Sequence, residues 1–99
     1  SNCYAIKDGV VYTAPLGNLI LPGITRKVVL ELAEQLGIKV VEEFQTPAFF
    51  LDADEVFLSA ASGLVPVGQI DGRAVKAGVG PVFARLAAAY KKLVAESCC

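Results

Sequence analysis

The apolar residues of this chain repeat with a period of two in some stretches and near 3.6 in others. Over Cys3–Thr13, Tyr4 and Ile6 alternate with their neighbours, Asp8-Gly9 interrupts, and Val10–Tyr12 resume. An Asp-Gly pair between two such runs predicts a β-hairpin with a type I′ turn, whose central residues both need positive φ. A connector rich in proline and glycine follows over 14–23, and its Leu16, Leu19 and Leu21 are expected to be partly covered. The spacing then predicts a helix from Ile24 to Leu36. Val28, Val29, Leu32, Ala33 and Leu36 form its apolar face, and Arg26, Lys27, Glu31, Glu34 and Gln35 fall mostly on the opposite one. Gly37 supplies the expected left-handed stop.

Further along, Ile38–Phe44 reads as a strand. A short helix is expected over Thr46–Ala53, with Pro47 at its first position. Asp54–Ala60 reads as a strand centred on Val56, Phe57 and Leu58. Ala61–Gly63 breaks it, and Leu64–Ile70 continues as a strand that Pro66 confines to an edge or a bulge. Asp71-Gly72 makes a turn before Arg73–Val75. The last helix begins near Pro81, and Val82, Phe83, Leu86, Tyr90, Leu93 and Val94 form a broad stripe expected to lie on the sheet, with packing on a second chain as the other reading. Lys91 and Lys92 sit toward its C-terminal end, where the helix dipole favours cations. The irregular alternation of strands and helices predicts one α+β (mixed α/β) domain, a mixed sheet packed with helices.

Composition narrows the function. The chain has 99 residues, 55% of them hydrophobic and 19% charged, and a formal net charge of -1. The apolar excess suggests a surface that meets another domain or subunit. A near-neutral charge gives no electrostatic support to a nucleic-acid groove or a membrane patch. No apolar run approaches the roughly 18 residues of a membrane-spanning helix. The chain has no histidine, and Cys3, Cys98 and Cys99 do not make up a metal-ligand set. Cys98 and Cys99 are adjacent and poorly placed to bridge one another, so reduced thiols in a cytoplasmic protein are the plain expectation.

Two short segments carry candidate chemistry. In Pro22-Gly23-Ile24-Thr25, the first amides of the helix lack intrahelical partners, and the Thr25 hydroxyl adds a donor. Three such donors suit a phosphate, and ordinary capping by Thr25 explains the same residues. In Ser59-Ala60-Ala61-Ser62, small side chains at a strand end leave backbone amides accessible to a ligand. Tight packing against a neighbouring element is the other reading of that segment.

Taken in order, "SN" with the hairpin "IKDGVVYT", "LPGITR", "ELAEQLGIKVVEE", "ADEVFLSAAS", "VPVGQIDG" and "GVGPVFARL" resemble the C-terminal part of the fold-type IV pyridoxal-phosphate enzymes. That family includes the branched-chain aminotransferases, the D-amino-acid aminotransferases and the aminodeoxychorismate lyases. The resemblance covers nearly all of the chain. It implies the C-terminal large-domain portion of a D-amino-acid-aminotransferase-like fold, and pyridoxal 5′-phosphate as cofactor. Ile24 and Thr25 would hold the cofactor phosphate through both amides and the Thr25 hydroxyl, and Ala60 and Ala61 would add further amides. Ala61 and Ser62 would face the substrate carboxylate.

Members usually carry a hydroxyl residue where this chain has Ala61, so Ser59 or Ser62 would have to compensate. The family's "E-I-T-P" stands here as "GLVP". Lys7, Lys27, Lys39, Lys76, Lys91 and Lys92 match none of the family's catalytic lysine position, and Lys7 is expected to be solvated on the hairpin. The resemblance therefore implies a piece of a larger, commonly homodimeric enzyme that moves an amino group between an amino acid and a 2-keto acid. The missing N-terminal part would supply the lysine and a glutamate for the pyridine nitrogen, and this piece alone would be inactive. The other readings are a lyase of the same family and a stand-alone interaction domain without catalysis.

Overall fold

In the hairpin, Asp8 (φ 52°) and Gly9 (φ 77°) both take the left-handed backbone that the type I′ turn requires. They join β1 (Asn2–Lys7) to β2 (Val10–Thr13) in an antiparallel pair running from Lys7↔Val10 to Tyr4↔Thr13. The computed structural model of the chain describes residues 2–14, 24–60, 63–70, 72–76 and 79–97. The connector and its Leu16, Leu19 and Leu21 lie outside the described residues.

Helix α1 (Ile24–Gln35) crosses over to β3 (Val40–Glu42), which pairs in parallel with β2. The expected strand over 38–44 is shorter because its first residues finish the helix. The Ile38 amide donates to the Ala33 carbonyl at 2.8 Å, and the Gly37 amide, at φ 72°, donates to the Glu34 carbonyl at 3.1 Å. Next, α2 (Pro47–Asp52) forms where Pro47 predicted it, with Thr46 as N-cap accepting from the Phe49 amide. It leads into β4 (Glu55–Ala60), which lies antiparallel to β1 from Asn2↔Ser59 to Ile6↔Glu55. At the edge, β5 (Gly63–Pro66) pairs with β4, giving the order β3-β2-β1-β4-β5. Pro66 ends that edge strand, so the predicted run divides. Its remainder, β6 (Gln69–Ile70), forms a separate two-stranded ribbon with β7 (Arg73–Ala74). The sheet is mixed, as expected.

The last element, α3 (Pro81–Ser97), packs beside α1 on one face of the sheet. Tyr4, Ile6, Val11 and Phe57 of the sheet meet Val29, Leu32 and Ala33 of α1 and Phe83 and Leu86 of α3. At the centre, Tyr4 stacks on Phe57 with ring centroids 4.5 Å apart. The opposite face is covered by Phe49 and Phe50 of α2 and by Val67, Ile70 and Val75 around Ala5, Ala53 and Val56. Coverage of the α3 stripe ends early, since Leu93 and Val94 are exposed. Among the described residues, no helix is long and apolar enough to cross a membrane.

Candidate functional site

The fold brings the start of α1 against the end of β4. The Thr25 hydroxyl donates to the Ala60 carbonyl at 3.2 Å, a contact between residues 35 apart in sequence. Ile24 and Thr25 are the first residues of α1, whose first turn contains no acidic side chain. Amides at such a helix start carry partial positive charge and favour an anion. The start of α3 is different. There the buried Glu55 carboxylate accepts from the Phe83 amide at 2.9 Å and from the Val82 amide at 3.3 Å. That helix start is already neutralised by the chain's own carboxylate.

Beneath the α1 start lies a buried polar cluster. Arg26, expected on the solvent face, is only 2% exposed. Its fork donates to the Thr13 hydroxyl at 3.2 Å and to a Glu42 carboxylate oxygen at 2.8 Å. Thr13 in turn donates to the Cys3 carbonyl at 3.1 Å. Beside it, the Tyr4 and Ser59 hydroxyls share a buried hydrogen bond of 2.7 Å. Burial pushes the Tyr4 phenol above its ordinary range, opposed by the Ser59 hydrogen bond and the Arg26 cation. The helix start thus stands on a floor that carries a buried guanidinium and is tied to three strands.

The model of the amino-transferase class IV family matches residues 1–70. The chain belongs to that family. D-alanine aminotransferase from Staphylococcus aureus (strain COL) is 47% identical over 96 residues, covering 95% of this chain and 34% of its own length. Among solved structures, the branched-chain amino acid aminotransferase from Escherichia coli superposes with a TM-score of 0.87 at 41% identity, covering 93% of this chain and 32% of that one. A T.th. branched-chain amino acid aminotransferase, complexed with N-(5′-phosphopyridoxyl)-L-glutamate, gives a TM-score of 0.89 at 36% identity, covering 96% of this chain and 32% of that one. The chain thus spans about a third of the length of the relatives it matches.

Placed in this class IV aminotransferase frame, the predicted site residues divide. Ile24 and Thr25 lie where the helix begins, and Ala60, half-buried, ends β4 beside them. Ala61 and Ser62 lie outside the described residues. Ser59 is buried with its hydroxyl on Tyr4, which takes it away from the compensating role. The Thr25 hydroxyl uses its one proton on Ala60, so it latches α1 to β4 rather than standing open as a third donor.

Lys7 pairs with Asp52 and lies 5.9 Å from the Phe49 ring centroid, so it is partnered rather than simply solvated. It also sits at the far end of β1 from Asn2, about 16 Å away at ~3.3 Å per residue. Arg26 and Glu55 are not singled out as site or cap residues by sequence reasoning, although the spacing carries the signal for both. Arg26 stands three and seven residues before the buried Val29 and Ala33, on the same helical face. Glu55 alternates with the buried Phe57 and Ser59, on the core face of β4.

The residues present fit a phosphate. A helix start without acidic side chains is fixed to a strand end and underlain by a buried guanidinium, whose Nε has no partner among the described residues.

Proposed function

We propose that this chain is the phosphate-holding C-terminal part of a pyridoxal-phosphate-dependent class IV aminotransferase, which moves an amino group between a D-amino acid or branched-chain amino acid and a 2-keto acid. The single observation that carries the reading is the Thr25–Ala60 hydrogen bond. It holds the first amides of α1 beside the end of β4, where the resemblance expects the cofactor phosphate.

Each residue has a physical task. The Ile24 and Thr25 amides donate to phosphate oxygens, and a hydrogen bond to a charged group contributes about 1.5–3 kcal/mol. The Thr25 hydroxyl fixes the angle of the helix start by holding Ala60. Ala60 lies beside that helix start, and the resemblance assigns Ala61 and Ser62 to the substrate carboxylate. When bound, pyridoxal phosphate supplies the electron sink for α-proton removal. The amine and the proton shuttle come from a lysine outside these residues, because Lys7, Lys27, Lys39, Lys76, Lys91 and Lys92 match none of the family's position.

The test is a titration of the full-length protein with pyridoxal 5′-phosphate and, separately, with pyridoxal. The Ile24 and Thr25 backbone amide resonances are expected to shift with the phosphate ester and to stay nearly still with pyridoxal. Amides unmoved by either ligand would overturn the reading. A coupled assay with D-alanine or a branched-chain amino acid and a 2-keto acid then assigns the substrate class.

A further inference from the structure

The buried Arg26 is not explained by packing alone. A guanidinium presents five N–H donors and is almost never fully buried unless paired. Here one donor reaches Thr13, one reaches Glu42, and Nε has no partner among the described residues. The Glu42 side chain is 49% exposed, so solvent weakens its neutralisation of the cation. Yet Arg26 is fixed in place. It joins the first turn of α1 to the last residue of β2 through Thr13, and to the last residue of β3 through Glu42. Thr13 passes the connection to the Cys3 carbonyl on β1. Through these ties, tilting the helix start strains three strands at once. The guanidinium hangs from the third residue of α1, so its charge lies within one side-chain length of the helix start and adds to that start's partial positive charge.

We propose that Arg26 is a positioning residue for the cofactor phosphate: it locks the first turn of α1 at the angle its amides need and makes that turn electropositive. This rests on the phosphate reading above. It requires no direct contact between Arg26 and the phosphate, but a dianion held on the first α1 amides changes the field at the Arg26 Nε–H in the same turn. Its specific consequence is that the extra affinity conferred by the phosphate ester depends on a side chain acting from below the helix.

The experiment uses the full-length protein carrying Arg26→Met or Arg26→Lys, with dissociation constants for pyridoxal 5′-phosphate and pyridoxal read from the cofactor's absorbance. Arg26→Met is expected to weaken the phosphate ester by about tenfold or more, while pyridoxal changes less than about twofold. Arg26→Lys keeps the charge without the two-point fork and is expected to fall between. A purely structural role lowers both affinities together. An unchanged ratio of the two constants in Arg26→Met overturns the proposal.

If Arg26→Met fails to fold, wild-type protein labelled with 15N-arginine decides. The Arg26 Nε–H resonance is expected to shift with pyridoxal 5′-phosphate and with inorganic phosphate, but not with pyridoxal. A stationary Nε signal beside a shifted Thr25 amide overturns the role of Arg26 and leaves the phosphate site standing. If the Thr25 amide is stationary too, the phosphate reading itself fails.

Discussion

Replacing Gly80 with alanine is a sharp test of how α3 is held. The backbone at Gly80 is outside the left-handed region, so alanine is conformationally acceptable there. On chain entropy alone, the substitution would stabilise by about 0.4–1 kcal/mol. Space forbids it. An added Cβ would lie 2.2 Å from Cδ of Glu55 and 2.3 Å from both its Cγ and Oε1. A long side chain can often swing aside, but Glu55 is 3% exposed and its carboxylate is bound to the Val82 and Phe83 amides.

To make room, that carboxylate must leave the α3 start, and two charge-assisted hydrogen bonds go with it. Losing a helix cap costs about 0.5–2 kcal/mol, and a buried carboxylate without partners adds more. The net expectation is a destabilisation of about 2–3 kcal/mol. Urea unfolding of Gly80→Ala, alone and combined with Glu55→Ala, measures it. In the Glu55→Ala background the clash disappears, so the added methyl should cost nothing or stabilise slightly. Equal costs in both backgrounds would refute the steric argument, as would a single-mutant loss below about 0.5 kcal/mol.

Tyr4→Phe leaves the buried Ser59 hydroxyl without its partner and should cost about 1–2 kcal/mol. Adding Ser59→Ala should recover part of that loss, and urea midpoints of the single and double variants check it. The Lys7–Asp52 pair gives a pH signature. The hydrogen bond with Asp52 raises the Lys7 amine above its ordinary range, and the same bond, aided by the Lys7 charge, lowers the Asp52 carboxyl. The Asp52 contribution is therefore present above the ordinary carboxylate range and lost as pH falls below about 4. Both groups are open to solvent, so the effect is small. Stability of wild type minus Asp52→Asn, followed from pH 7 to pH 3, should shrink toward zero, and a constant difference counts against the pair.

Much of the fold is legible in local patterns. Asp8-Gly9 announces its turn, Pro47 the start of α2, and Pro66 an edge position in the sheet, though not that the strand stops there. These residues act on their immediate neighbours, so reading the chain locally suffices. The site is less legible because its contacts join distant residues. Thr25 meets Ala60 across 35 positions, and Glu55 caps amides 27 and 28 positions away. Residue type also misleads. Arg26 and Glu55 are charged, and charge usually means solvent, but each has partners that allow burial. Helical and strand spacing place both on core faces. The phosphate assignment at Ile24, Thr25 and Ala60 comes from resemblance, and the fold supplies their proximity.

The strand order has a consequence during synthesis. One neighbour of β1 follows immediately through the Asp8-Gly9 turn, whereas the other pairs Asn2 with Ser59. Closing the longer loop carries about 2–3 kcal/mol more entropy, at ~0.6 kcal/mol per doubling of length. At about 5–20 residues per second, translation needs several seconds to deliver β4 after the hairpin emerges. Throughout that interval the nascent hairpin has an unsatisfied edge, and a chaperone or a foreign strand can reach it before β4 does.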